Sequence, residues 1–183
     1  MPLSPGVNGP VAGMQAAISE DSRFAKARDA MVASQIIARG VTDPRTPSAM
    51  RQVPRHLFVP PRYATEAYDD HPLPIGHAQT ISQPYIVAFM TEALGLRGGE
   101  TVLEVGAGSG YQSAVLSRIA GRVFGIEIVE PLAREASARL ARLGYKNVEI
   151  RAGDGYAGWP EHAPFDAIMV TAAAPRVPEP LKQ

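Results

Sequence analysis

Gly106-Ala107-Gly108-Ser109-Gly110 stands between an apolar, β-branched run and a helical one, and it restricts the possible folds more than any other stretch of the chain. TVLEV (Thr101–Val105) reads as a short strand, and the residues from about Tyr111 to Ala120 read as a helix. Glycines at alternate positions permit positive φ and remove the Cβ that would keep a ligand off the backbone. A helix that starts there presents N–H groups without intrahelical partners, so such a turn can grip a nucleotide or a carboxylate. The strand–turn–helix pattern then repeats. RVFGIEI is a second strand, followed by a helix from Pro131 to Leu143 with Gly144 just past its end. NVEIRAGD is a third strand and FDAIMVTAAA a fourth. Strands that alternate with helices in this way predict an α/β fold, a doubly wound, mostly parallel sheet with helices on both faces.

The residues before Thr101 have a different pattern. A Pro- and Gly-rich stretch makes residues 1–22 a disordered tail. From Phe24 to Arg39 a helix is predicted, with Ala27, Ala30, Ser34 and Ile37 on one face, Met31 beside them and Gly40 as the stop. Prolines 54, 60 and 61 break the next stretch of chain, so residues 41–85 read as compact but irregular. The three prolines of HPLPIGHAQTISQPY (His71–Tyr85) argue against a helix interior or a central strand. A helix resumes at Pro84 and closes at Gly95 or at Gly98 and Gly99. The expected division is a tail over 1–22, an N-terminal helical and irregular subdomain over 23–99, and an α/β domain over 100–183. The chain stops just after the fourth strand, which predicts that further C-terminal strands are missing.

Composition removes several classes of function. Of 183 residues, 18 are Lys or Arg and 18 are Asp or Glu, so neither nucleic acid nor an anionic membrane is an expected partner. Arg51, Arg55 and Arg62 form a local basic cluster that is expected on a solvated helix face. Without cysteine there is no disulfide, thiolate nucleophile or thiolate zinc site. His56, His71, His77 and His162 lack metal-ligand spacing, so no metal is expected. No run approaches the roughly 18 apolar residues needed to span a bilayer, and the start of the chain lacks a signal-peptide pattern. A cytoplasmic location is expected.

The glycine loop distinguishes between cofactors. Tyr111 occupies the sixth position of G-x-G-x-x-G, where a dinucleotide fingerprint needs a small residue, and no Lys-Ser/Thr comes after it to make a P-loop. Glu104 lies inside the strand before the first glycine. Its carboxylate would sit badly against a pyrophosphate but could meet an ammonium group, which favours S-adenosylmethionine over NAD. Glu127 ends the second strand, 21 residues after Gly106, where an acid can accept both hydroxyls of a ribose. Asp154 ends the third strand, within reach of an adenine amino group. Ligands of doubly wound sheets bind at these carboxyl ends.

With these residues assembled, the chain resembles the protein-L-isoaspartate O-methyltransferases, within the class I methyltransferases and their Rossmann-like fold. The resemblance runs from about Arg28 to Lys182. It rests on VPRHLFVP (Val53–Pro60), LPIGHAQTISQPYIVAFMTE (Leu73–Glu92), VLEVGAGSGY and DAIMVTAAAP (Asp166–Pro175), with the TISQP segment as the family signature. It implies that Gln79, Thr80, Ile81 and Ser82 line the cofactor and substrate pocket in a substrate-facing subdomain, with Ser82 as the catalytic serine. It places Glu104, Gly106, Gly108 and Gly110 around the methionine part of S-adenosylmethionine, Glu127 and Ile128 at the ribose, and Asp154 and Gly155 at the adenine. Thr171, Ala172 and Ala173 match a small-residue run at the substrate mouth, and Tyr85 stands where some members have histidine.

The implied reaction transfers a methyl group to the free carboxylate of L-isoaspartyl residues in damaged proteins, as a repair step carried out by a monomer. The product ester would collapse to a succinimide without enzymatic help. Ser82 has a second possible role, as N-cap of the helix that begins at Pro84. The competing functions are a class I methyltransferase acting on a small molecule or RNA, an NAD-dependent oxidoreductase, and a cofactor-binding but inactive domain.

Overall fold

The computed structural model describes residues 22–172 and 179–182, so the expected tail (apart from residue 22) and Ala173 lie outside the described residues. Helix α1 covers residues 22–31 and continues through a π-turn at Val32–Ile36 and a 3-10 turn at Ile37–Arg39. Gly40, at φ 91°, ends it as the sequence suggests. The buried face is not the expected one. Phe24, Met31, Val32 and Ile36 pack inward, whereas Ala30 and Ser34 are exposed and Ile37 is 45% exposed. Alanine and serine bring little apolar area, so the large side chains set the buried stripe.

Helix α2 (Arg45–Gln52) comes next, its start tied by the Asp43 carboxylate, which accepts from the Arg45 backbone N–H at 3.0 Å. The supposedly irregular segment holds an antiparallel hairpin of β1 (Leu73–Gly76) and β2 (Gln79–Ile81). His77 and Ala78, at φ 50° and 55°, form its turn, and positive φ at both central residues matches the twist of a tight hairpin. Pro72 precedes β1, and Pro74 within it is tolerated because a two-stranded ribbon consists of edges alone. Helix α3 (Pro84–Ala93) has Gln83 rather than Ser82 as its N-cap, with no side-chain cap bond, so the capping role for Ser82 is not the one the fold uses.

The main sheet contains β3 (Thr101–Val105), β4 (Arg122–Glu127), β5 (Val148–Ala152) and β6 (Ala167–Val170), all parallel, in the order β5-β4-β3-β6. Helix α4 (Tyr111–Leu116) links β3 to β4, and α5 (Glu130–Arg142) links β4 to β5. The order reverses beside β3, which makes the carboxyl end of that strand the switch point where doubly wound sheets take ligands. One face is covered by the helices. On the other, Leu103, Phe124 and Ile126 pack under Trp159. Among the described residues this second cover is made of short 3-10 turns and aromatic side chains rather than long helices.

The largest core joins both parts of the chain. Met50 and Phe58 from the N-terminal part meet Tyr111, Leu132 and Leu140 from the α/β part. Tyr111 is central to this join: its ring lies edge-on to Phe58 at 5.5 Å and its hydroxyl reaches the Met50 sulfur at 3.8 Å. The residue that breaks the dinucleotide fingerprint therefore anchors the helical subdomain. Among the described residues, no helix is long and apolar enough to cross a membrane.

Candidate active site

Two adjoining cavities, of about 220 Å³ and about 50 Å³, open at the carboxyl ends of β3, β4 and β5 under the hairpin. They share Thr80, Gly106, Gly108 and Thr171. The larger also takes Gln79, Glu127, Ile128, Asp154 and Gly155 into its wall. The smaller takes Ile81, Ser82 and Glu104. Of the expected site residues that the structure describes, all but Gly110 and Tyr85 line one or both of these cavities. A roomier groove of about 780 Å³, between residues 56–61 and α5, gathers none of them.

The glycine loop differs from expectation in one respect. Its N–H groups are largely satisfied within the protein. Those of Gly106 and Ala107 donate to the Ile126 carbonyl at 2.8 and 3.1 Å, and that of Gly110 donates to the Ala107 carbonyl at 2.8 Å. Gly108 N–H donates to Glu127 Oε2 at 2.7 Å. The loop therefore offers shape rather than free donors. Gly106, at φ 98°, lies where a Cβ would come within 2.9 Å of the Ala172 Cβ, so the backbone passes close under β6. Gly110 starts α4 at φ 83° and faces Leu140 of α5, 3.0 Å from its virtual Cβ. Its requirement is conformation and packing, not contact with the cavities.

Three carboxylates face this space from three strands. Glu104 is wholly buried, and its side chain accepts a hydrogen bond from the Ser113 hydroxyl on α4. Burial lifts its carboxyl from an ordinary 4.5 to about 7, while the Ser113 and Thr171 hydroxyls act in the opposite sense and Glu127 adds repulsion. Glu127 is fixed by two backbone donors, Gly108 N–H and Val129 N–H, the latter at 2.9 Å to Oε1. Each of its oxygens keeps a lone pair for another donor. Asp154 is exposed and uses Oδ1 to cap the turn at Gly155–Ala157, accepting from Tyr156 N–H at 2.9 Å, which leaves Oδ2 free to accept from a ligand. Gly155 is needed for room, since a Cβ there would stand 2.3 Å from Val105 Cγ1.

Two participants, Tyr156 and Ser113, escaped the sequence reading. Tyr156, 43% exposed, lines the larger cavity together with Ile128, which is 73% exposed. The signal available for Tyr156 was its position directly after Gly153-Asp154-Gly155. Thr171, which the resemblance placed at the substrate mouth, lines both cavities and ties β6 to the loop, its hydroxyl 2.7 Å from the Gly106 carbonyl and 3.5 Å from Glu104 Oε1. Ser113 fixes Glu104 from nine residues further along, a spacing that has no motif. Tyr85 does not reach either cavity; its ring lies 3.6 Å below the Arg39 guanidinium and stacks on Phe89. The basic cluster is not one solvated face. Arg51 is half-exposed and pairs with Asp29 at 3.7 Å, but Arg55 is fully buried.

Comparison with known proteins agrees with this geometry. Residues 26–183 match the model of the family described as protein-L-isoaspartate(D-aspartate) O-methyltransferase. A protein-L-isoaspartate O-methyltransferase of Synechococcus sp. (strain JA-2-3B'a(2-13)) is 61% identical over 155 residues, which cover 85% of this chain and 64% of that protein. One from Rhodopseudomonas palustris (strain HaA2) is 61% identical over 166 residues, covering 90% of this chain and 68% of that one. Among solved structures, a protein-L-isoaspartate O-methyltransferase aligns with a TM-score of 0.76 at 33% identity, over 85% of this chain and 51% of its own. A Plasmodium falciparum structure in complex with S-adenosyl-L-homocysteine aligns with a TM-score of 0.72 at 27% identity, over 84% of this chain and 77% of its own. The chain thus spans between about half and three-quarters of the length of these relatives.

Proposed function

The chain belongs to the protein-L-isoaspartate O-methyltransferase family, and from that premise we propose that it transfers the methyl group of S-adenosylmethionine to the free carboxylate of L-isoaspartyl residues in damaged proteins. The observation that carries this is the meeting of the Gln79–Ser82 segment with Glu104, Glu127 and Asp154 around one pair of adjoining cavities. Residues 23–99 then act as a substrate-facing cap on a cofactor-binding unit over 100–183. We place the protein in the cytosol, as a monomer acting on protein surfaces.

The residues present fit the cofactor. Glu127, with acceptor capacity left on both oxygens, suits a ribose diol. Asp154 Oδ2 suits an adenine amino group, and the exposed Ile128 and Tyr156 provide apolar flanks for its ring. Glu104, at the floor of the smaller cavity, suits the ammonium of the methionine part. When bound, S-adenosylmethionine supplies a methyl group on a sulfonium centre to an oxygen nucleophile.

The protein's own work is orientation. A substrate carboxylate with a pKa near 4 is already ionised at neutral pH, so no strong general base is required. Ser82, lining the smaller cavity with Glu104 and Gly106, donates a hydrogen bond that aims the carboxylate and forms no covalent bond itself. Gln79 and Thr80 on the hairpin cover the mouth and keep water out. Alignment of this kind can supply up to roughly 7–11 kcal/mol of barrier lowering.

The test uses one protein substrate before and after deamidation by prolonged warming, with labelled S-adenosylmethionine. The warmed sample should accept base-labile label and the fresh sample should accept little. Equal labelling of both, or a base-stable product, would contradict the function. A thermal shift with S-adenosylhomocysteine and none with NADH checks the cofactor class.

A further inference from the structure

Arginine is almost never fully buried without a pairing partner, yet Arg55 is 0% exposed. Among the described residues no carboxylate bridges to it. Its Nε donates to the Ala67 carbonyl at 2.7 Å and its Nη2 to the Ser82 carbonyl at 2.7 Å. Among the described residues Nη1 has no hydrogen-bond partner, and the guanidinium carbon lies 4.9 Å from the centre of the Tyr111 ring. Burying such a charge is costly, and an apolar side chain of similar volume is often as good for stability or better. What an apolar replacement cannot supply is a rigid fork that holds two carbonyls at once. One of these belongs to Ala67, which is itself fully buried at the end of the turn over Pro61–Glu66. The other belongs to Ser82, which joins β2 to α3. Ser82 and Tyr111, the two residues of the small cavity's wall that Arg55 touches, stand beside Glu104 and the glycine loop.

We propose that Arg55 is the positioning residue for Ser82: its guanidinium pins the Ser82 carbonyl to the buried turn at Ala67, and so fixes where the serine hydroxyl stands in the small cavity. The inference rests on the reading of Ser82 as the group that aims the substrate carboxylate. It also accounts for an arginine inside VPRHLFVP, where the sequence offers no acidic partner nearby. Arg55 lines neither cavity itself, so its effect travels through the backbone of Ser82.

The test compares Arg55→Met and Arg55→Lys with the parent, alone and in a Ser82→Ala background. In Arg55→Met, kcat for an isoaspartyl peptide should fall by about 10- to 100-fold, the scale of a small misplacement of a reacting group, with KM and S-adenosylhomocysteine affinity little changed. Arg55→Lys, which keeps the charge and can reach one carbonyl, should fall less. In the Ser82→Ala background the same changes should cost little more, because neighbours that act as a unit are not additive. Hydrogen exchange should accelerate over residues 77–83 and stay slow in β4. Additive losses in the double variants, or unchanged exchange over 77–83, would overturn the proposal. If Arg55→Met fails to fold, Arg55→Lys carries the same comparison. If the parent methylates no isoaspartyl peptide, the proposed function fails, and the exchange comparison alone decides on Arg55.

Discussion

Between pH 6 and pH 8, affinity for S-adenosylhomocysteine should rise about tenfold, with Glu104 as the cause. Its carboxyl is fully buried, and desolvation lifts it to about 7 despite the Ser113 and Thr171 hydroxyls. A group with that value is about one-tenth ionised at pH 6 and about nine-tenths at pH 8. If the ionised carboxylate meets the ligand's ammonium, apparent affinity scales with the ionised fraction, and binding at pH 6 releases close to one proton. The same shift has the opposite sign for the stability of the unliganded protein. Between 4.5 and about 7 the folded state holds a proton that the unfolded chain has released, so stability falls as pH rises through that window. At 1.36 kcal/mol per pH unit the loss approaches about 3 kcal/mol. Glu104→Gln keeps the shape of the side chain without the titration and should flatten both profiles. Isothermal calorimetry in two buffers of different ionisation enthalpy reads affinity and proton release together. An affinity that is flat from pH 6 to 8, or an unchanged slope in Glu104→Gln, would refute the reasoning.

Ser82→Ala should lower kcat by about 10²-fold, typical of losing one well-placed donor, with S-adenosylhomocysteine affinity preserved; steady-state kinetics and calorimetry read the two separately. Glu127→Gln leaves one of the two backbone donors, Gly108 N–H or Val129 N–H, facing an amide NH₂, and should weaken cofactor-product binding by about 10- to 100-fold by calorimetry. Gly155→Ala drives a Cβ into Val105 and should cost about 1–3 kcal/mol, seen as a drop of several degrees in Tm. Adding Val105→Ala should recover part of that loss.

The sheet and the three acids were legible because their signals are local. Glu104 sits inside an apolar run, Glu127 and Asp154 close theirs, and the alternation of strand and helix fixes the topology. The hairpin was hidden because Pro72 and Pro74 mask a strand and its turn uses His77 and Ala78, which carry no glycine or asparagine signal for positive φ. The first helix misled because Ala30 and Ser34 keep the helical period without the area to be buried. Gly110 fits the cofactor motif by spacing, yet its neighbour is Leu140, a contact that exists only once α5 has folded back. Loop donors that look free in sequence are taken by the Ile126 carbonyl from the adjacent strand. Arg55 was misplaced on a solvated face, since the carbonyls that hold it inside lie 12 and 27 residues further along.

The most direct measurement of the central claim is labelled methyl transfer from S-adenosylmethionine to a synthetic isoaspartyl peptide and to its aspartyl twin, compared as kcat/KM. Transfer to the isoaspartyl peptide with little or none to the twin is the expected result. Equal transfer to both peptides would contradict it.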